Sequence, residues 1–125
     1  MNQQGTRRPT TDITPTVTLF LAGDVMTGRG IDQIMREPNA PRLFEPYMSS
    51  ATGYVELAEQ VSGPIPRAVD PGYVWADALA ELEKAHPDAR IVNLETAVTV
   101  SDDASTDKQI HYRMHYDSTR LRGEA

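Results

Sequence analysis

Cysteine is absent from the sequence, and no apolar run is long enough to cross a membrane. Without cysteine, a disulfide framework, a thiolate zinc site and a cysteine nucleophile are all excluded. The apolar run near the N-terminus, Val17–Ala22, is far shorter than the roughly 20 residues of a membrane span. It is also too short for the core of a signal peptide, although Arg7 and Arg8 precede it. We therefore expect a cytoplasmic protein with no transmembrane segment.

Basic residues are scarce too: twelve Lys and Arg residues stand against eighteen Asp and Glu residues, for a formal net charge of -6. Nucleic acid is not expected as a partner, because phosphate contacts need a basic face. The 125 residues allow one domain at most, and a hydrophobic fraction of 39% does not imply disorder throughout. The acidic balance suits a cation site, although most acidic proteins bind no particular metal.

Two apolar segments, Thr16–Ala22 and Ala89–Leu94, predict strands that are buried on both faces, as in a parallel sheet. Residues 1–16, which are rich in Thr, Pro and Gln, are predicted to form a flexible leader. Because helices are predicted between the two strands, the order indicates a crossover unit with parallel pairing. The predicted fold class is therefore α/β.

Apolar residues at helical spacing predict the helices of this crossover. The clearest covers Val74–Ala85, where Trp75 begins an apolar stripe that we interpret as core packing. Shorter helices are predicted from about Ile31 to Glu37 and over Tyr54–Val61. Prolines interrupt the segments between the helices, so Glu37–Gly53 and Ser62–Gly72 are predicted to be loops. A third short strand is predicted at Ile110–Met114.

Asp24 is the first polar residue after the first predicted strand. Ligands of open parallel sheets bind outside the carboxyl ends of the strands, so this position suits a functional residue. Gly23 before it allows a sharp turn or a close approach of the backbone. The alternative is that Asp24 only caps the next helix, and the position alone favours this alternative.

Glu95 occupies the equivalent position after the second strand, so parallel pairing would bring it to the same edge as Asp24. Asn93 lies two residues earlier and points to the same side as Glu95. Two carboxylates and an amide oxygen suit a hard divalent cation such as Mg²⁺ or Mn²⁺. An Asn–Glu pair that caps a turn explains the spacing equally well.

The segment from Gly23 to Gly30 comes close to the phosphate-binding loop G-x-x-x-x-G-K-[ST]. Its chemistry differs, because Arg29 replaces the lysine and Gly30 removes the hydroxyl that would hold Mg²⁺. Asp24 also adds negative charge beside the phosphates. We therefore predict no P-loop and keep Arg29 as a candidate anion contact.

His111 and His115 have the i, i+4 spacing of a metalloprotease helix, but the glutamate after the first histidine is missing. We interpret them as surface histidines. A late acidic segment lacks the oxygen spacing and central glycine of a calcium loop and is interpreted as solvated. Its members are Asp102, Asp103 and Asp107. No residue of the chain is identified as catalytic.

With GDVMTGR, VWADALAEL and IVNLET in this order, the chain resembles the CapA family of capsule synthesis proteins, also described as poly-γ-glutamate synthesis proteins. The resemblance runs from about Val17 to His115. It implies an α/β metallophosphatase-like fold, of the calcineurin-like phosphoesterase type, with a sandwich flanked by helices. It also implies that Asp24 and Glu95 are ligands of Mn²⁺ or Mg²⁺ and that Asn93 contacts the metal or its ligands.

The chain departs from the pattern in two places. Related phosphoesterases carry Asp-x-His where this chain has Asp24-Val25-Met26, a trait that the CapA family shares. The family continues to an Asn-Asn-His motif, whereas this chain ends in YDSTRLRGEA. We therefore expect residues 17–115 to be the N-terminal part of a truncated CapA-like domain and residues 116–125 to be a divergent polar tail.

Three functions are compatible with these expectations. The first is a capsule or poly-γ-glutamate biosynthesis protein with a metal-dependent, hydrolase-like domain, present here as a fragment. The second is a non-catalytic accessory protein of a capsule synthesis complex, and the third is a non-functional truncated product. The first two imply other capsule or polyglutamate synthesis proteins as partners.

Overall fold

The computed structural model describes residues 15–105 and 107–119. Most of the predicted leader, residues 1–14, and the end of the predicted tail, residues 120–125, therefore lie outside the described residues. Pro15 and Thr16 are exposed and have no regular structure. No helix in the described ranges has the length and apolar character needed to span a bilayer.

Strands and helices alternate along the chain, as expected for an α/β protein. The elements are, in order, β1 (Leu19–Val25), α1 (Gly30–Ile34), β2 (Arg42–Glu45), β3 (Met48–Ser50), α2 (Thr52–Ser62), a 3₁₀ helix (Pro71–Trp75), α3 (Ala78–Ala85), β4 (Ala89–Leu94), β5 (Ala97–Val98), β6 (Arg113–Met114) and a second 3₁₀ helix (Tyr116–Thr119).

Three two-stranded sheets make up the β-structure of the described ranges. The predicted crossover is confirmed, because β1 and β4 pair in parallel with all three α-helices between them. The β2–β3 hairpin is antiparallel and lies inside Glu37–Gly53, which the sequence predicts as a loop. The third predicted strand is confirmed in part: it shortens to β6 and pairs with β5 rather than with the main sheet.

The main sheet is more exposed than the sequence predicts. In β1, Leu21 is 66% exposed, and in β4, Ile91 is 55% exposed. The prediction that both strands are buried on both faces is therefore wrong. The reason is that the helices pack elsewhere: α1 contacts α2, α2 contacts β3, and α3 contacts the first 3₁₀ helix. The described residues thus lack the extensive helix cover that usually buries a parallel sheet.

The buried apolar residues lie around α1, α2 and β6. They are Ile34, Met35, Ala51, Val55 and Met114. Gly30 allows the two helices to approach, because a Cβ atom there would lie 3.1 Å from Cβ of Tyr54. This small cluster, and not the main sheet, forms the core of the described chain.

The predicted helix over Val74–Ala85 is split in two. Ala76 has φ 43°, which lies outside the α-helical region, so the 3₁₀ helix ends before it and α3 begins at Ala78. No residue of α3 is buried, and Trp75 is half-buried. The interpretation of the Trp75 stripe as core is therefore wrong, because the interrupted helix has no layer to pack against fully.

A carboxylate lies at the centre of the core. Asp32, in α1, is only 2% exposed. Its Oδ2 accepts a hydrogen bond from the backbone N–H of Asn39 at 2.8 Å, and its Oδ1 accepts one from the backbone N–H of His115 at 2.8 Å. The Nε2 of Gln33 donates a third at 3.3 Å. Burial of a carboxylate is costly unless donors surround it, and these donors also tie α1 to the loop at Asn39 and to the distant end of β6.

Replacement of Asp32 by alanine should therefore destabilise the fold strongly. Asp32→Ala leaves two buried backbone N–H groups without an acceptor, and we expect the free energy of unfolding to fall by about 3 kcal/mol. Urea unfolding followed by circular dichroism measures this change. Asp103→Ala, at an exposed aspartate, is the matched control and should change stability by less than about 0.5 kcal/mol. Equal effects of the two substitutions would contradict the role of Asp32.

Candidate functional site

The end of β1 carries a bulge that positions Asp24. Ala22 pairs with Val92 and Asp24 pairs with Asn93, so Gly23 is the extra residue. Asp24 therefore lies inside β1 rather than after it, which corrects the predicted strand end at Ala22. A Cβ atom on Gly23 would meet nothing within 4 Å, so no close approach requires glycine there.

Asp24 and Asn93 meet across the two parallel strands, because the bulge brings them into register. Nδ2 of Asn93 donates a hydrogen bond to Oδ1 of Asp24 at 2.5 Å. Both side chains are exposed, so this contact does not offset a burial cost. It argues against the capping alternatives, because Arg29 precedes α1 and makes no side-chain cap, and Asn93 bonds to Asp24.

Glu95 lies at the same edge. Its backbone N–H donates to the carbonyl of Val25 at 3.1 Å, which continues the pairing beyond Leu94. Its exposed side chain lines an open cleft of about 490 Å³, together with Lys108 and Tyr112. The backbone N–H of Thr27 donates to Oγ1 of the buried Thr96 at 3.2 Å, so the segments after both strands are held together.

The chemistry of these donors fits a hard divalent cation, but their number is small. Mg²⁺ prefers about six oxygen ligands, and Asp24, Asn93 and Glu95 offer two carboxylates and one amide. In the described ranges, no group of three or more His, Asp or Glu side chains converges. Rotation of the Asn93 amide by 180° would turn its oxygen toward a cation held by Asp24. Their assignment as metal ligands stays a prediction.

Arg29, the predicted anion contact, is held on three sides. Its Nε lies 2.6 Å from Oε1 of Glu45 and forms an ion pair with it. The two atoms do not form a hydrogen bond, because the N–H of Arg29 does not point at the oxygen. Its guanidinium carbon lies 5.1 Å from the ring centre of Tyr54 and 4.7 Å from that of Tyr112. These contacts fix the orientation of the guanidinium. Its role toward an anion stays a prediction.

Glu45 and Tyr54 complete this cluster. The hydroxyl of Tyr54 donates a hydrogen bond to Oε2 of Glu45, whose side chain is only 1% exposed. This hydrogen bond is the main reason why the pKa of Tyr54 is raised above its ordinary value, and burial adds to it. The sequence analysis missed both residues, because Glu45 lies in the segment predicted as a loop. The hairpin sequence RLFEPYMSS has no regular polar–apolar alternation that would have signalled it.

The two histidines are placed differently from the prediction. His111 precedes β6 and His115 comes directly after it, so neither is on a helix. Both are half-buried, which makes their interpretation as surface residues wrong. The ring of His111 packs against Phe44 with centroids 5.5 Å apart, and the backbone of His115 is held by Asp32. Packing on β2 and α1 therefore explains their burial.

The acidic segment is exposed, as expected. Asp102 also forms an ion pair with Arg113. Its Oδ1 accepts a hydrogen bond from Nη1 of Arg113 at 2.5 Å. Arg113 also donates to the carbonyls of Ser101 and Ala40. The pair fastens this loop to β6.

Comparisons with known proteins agree with the expected family. The profile described as "Bacterial capsule synthesis protein PGA_cap" matches residues 18–121. Two curated relatives, from the CDC 1551 / Oshkosh and ATCC 25618 / H37Rv strains of Mycobacterium tuberculosis, are each described as a probable polyglutamine synthesis accessory protein. Each is 50% identical over 102 residues, which cover 82% of this chain and 27% of the relative. The chain thus spans about a quarter of their length.

No solved structure matches the chain. The α/β class is confirmed by the described elements, whereas the metallophosphatase-like arrangement stays a prediction.

The raised pKa of Tyr54 leads to a pH-dependence prediction. Because its folded pKa lies above the ordinary 10.0, the stabilisation from its protonated hydroxyl is complete below pH 10.0 and is lost as the pH rises further. In a titration of phenolate absorbance of the folded protein near pH 10.0, Tyr54→Phe should leave the amplitude unchanged. In denaturant, Tyr54→Phe should lower the absorbance amplitude by the contribution of one of the five tyrosines. A lower amplitude in the folded variant would contradict the Tyr54–Glu45 bond.

Proposed function

Because the chain belongs to the bacterial capsule synthesis family PGA_cap, we propose that the edge formed by β1 and β4 is part of a divalent metal site. The site would serve a hydrolase-like domain in capsule or polyglutamate synthesis. The observation that supports this most directly is the contact between Asp24 and Asn93, with Glu95 at the same edge. Fold and family membership alone would not identify a site.

The roles of the three residues are set by their chemistry. Asp24 and Glu95 supply negative charge, and Mn²⁺ or Mg²⁺ would be held by their oxygens. Asn93 orients the carboxylate of Asp24 through its amide. When bound, such a cation supplies Lewis acidity and lowers the pKa of a coordinated water. Three side chains do not fill an octahedral shell, so we expect water or ligands outside the described residues to complete it.

The second candidate is an accessory role without chemistry, as a partner of other capsule or polyglutamate synthesis proteins. Two observations favour it: the names of the two mycobacterial relatives, and the exposed apolar side chains on the main sheet. Exposed apolar surface of this kind is typical of protein interfaces. Metal binding separates the two candidates, because the accessory role does not require the carboxylates.

The metal site is tested by titration of the purified chain with Mn²⁺, monitored through the electron paramagnetic resonance signal of free Mn²⁺. Asp24→Asn and Glu95→Gln should each weaken binding by at least about tenfold, because even residues that only contact ligands contribute that much. Asp103→Asn and Glu83→Gln are matched controls at exposed carboxylates.

We expect the controls to bind Mn²⁺ as the unchanged chain does. If all four variants bind Mn²⁺ equally, or if the unchanged chain binds none, the metal site is wrong and the accessory role is favoured. A chain that binds Mn²⁺ is then assayed for hydrolysis of phosphoesters and of γ-glutamyl amides, and Asp24→Asn should abolish whichever activity is found.

A further inference from the structure

A second concave surface lies between α1 and α2, apart from the edge that carries Asp24. The cavity measures about 310 Å³, which is at the lower end of the size of small-molecule sites. Its walls are mainly apolar and consist of Met26, Ile31, Ile34, Val55, Ala58 and Ile65. A hydrocarbon group of a ligand would leave water by entering it.

Arg29 is the one charged residue among the described residues that line this cleft. Its side chain is 20% exposed, so solvent reaches it. The contact with Glu45 uses Nε, and in the described ranges Nε is the one nitrogen of the Arg29 guanidinium that is buried without a hydrogen-bond partner. A planar guanidinium matches the paired oxygens of a carboxylate or phosphate.

The surroundings of Arg29 hold it ready for such a contact. The rings of Tyr54 and Tyr112 lie beside its guanidinium, with ring centres 5.1 Å and 4.7 Å from the guanidinium carbon. The carboxylate of Glu45 offsets the positive charge of Arg29. The same carboxylate accepts a hydrogen bond from the Tyr54 hydroxyl. Attraction of an anion would therefore depend on directed hydrogen bonds more than on net charge.

The backbone at Arg29 is strained as well. Its φ of 53° with ψ of −126° is unfavourable for a residue with a side chain. Gly28 before it packs against β6, since a Cβ atom there would lie 2.9 Å from the carbonyl oxygen of Arg113. Strained positions that the surrounding packing maintains are frequent at ligand sites.

From these contacts we infer that the cleft binds an amphiphilic anion. A hydrocarbon group packs against the apolar walls, and a carboxylate or phosphate group accepts hydrogen bonds from the Nη groups of Arg29. The site does not depend on the proposed metal edge, because it uses neither Asp24 nor Glu95. Loss of metal binding and loss of amphiphile binding are therefore separate results.

The experiment is isothermal titration calorimetry of the full chain with octanoate and octyl phosphate below their micelle concentrations and with octanol below its solubility limit. At least one anion should bind about tenfold tighter than octanol, a difference of ~1.4 kcal/mol. The tighter of the two anions identifies the head group. Arg29→Gln should remove the advantage of the anions, whereas Arg36→Gln, at an exposed arginine paired with Asp70, should keep it.

A second variant tests the cleft without altering Arg29. Ala58→Phe fills the cavity from α2 and should reduce binding of the anions by about tenfold or more. Ala80→Phe, at an exposed alanine of α3, is the matched control. Circular dichroism confirms that each variant is folded.

Equal binding of octanol and both anions, or unchanged binding in Ala58→Phe, would overturn the inference. So would the absence of any binding, which would indicate that the cleft is a packing surface for protein.

Discussion

The buried carboxylate of Asp32 is the constraint on which the described core depends. Helix α1 is only one and a half turns long and would not be stable by itself. Asp32 connects it through hydrogen bonds to the segment at Asn39 and to the end of β6. Asn39 in turn donates from Nδ2 to the carbonyl of Thr99 at 3.0 Å. The Asp32 side chain thereby joins α1 to a nearby loop and to the distant end of β6, and it does so where apolar contacts are few.

The two candidate sites flank the short segment between β1 and α1. Asp24 lies near the end of β1 and Arg29 directly precedes α1, and contacts from elsewhere in the chain hold the residues between them. Thr27 is bonded to Thr96 after β4, and Gly28 packs closely on β6. The segment is therefore shaped by residues that come about 70 positions or more later.

Local periodicity and strand adjacency allowed part of the fold and of the site to be predicted from the sequence. The placement of Asp24 and Glu95 at the same edge could be predicted, because both strands are short apolar runs and a crossover makes them parallel, whereas the bulge that pairs Asp24 with Asn93 could not. The Arg29–Glu45–Tyr54 cluster could not be predicted, since it depends on a hairpin that prolines conceal and on how α2 is placed. Burial of β1 was predicted wrongly because apolar side chains indicate a tendency to be covered, whereas the cover itself comes from other elements.

The bulge at Gly23 has a consequence for how this edge tolerates change. In a regular ladder Asp24 would lie opposite Leu94, so the extra residue shifts the carboxylate back by one position to Asn93. Space around Gly23 is open, and a side chain there would meet no neighbour. Selection at this position would therefore act on the number of residues rather than on their identity. An alignment of relatives would show a fixed spacing here even where the glycine itself varies.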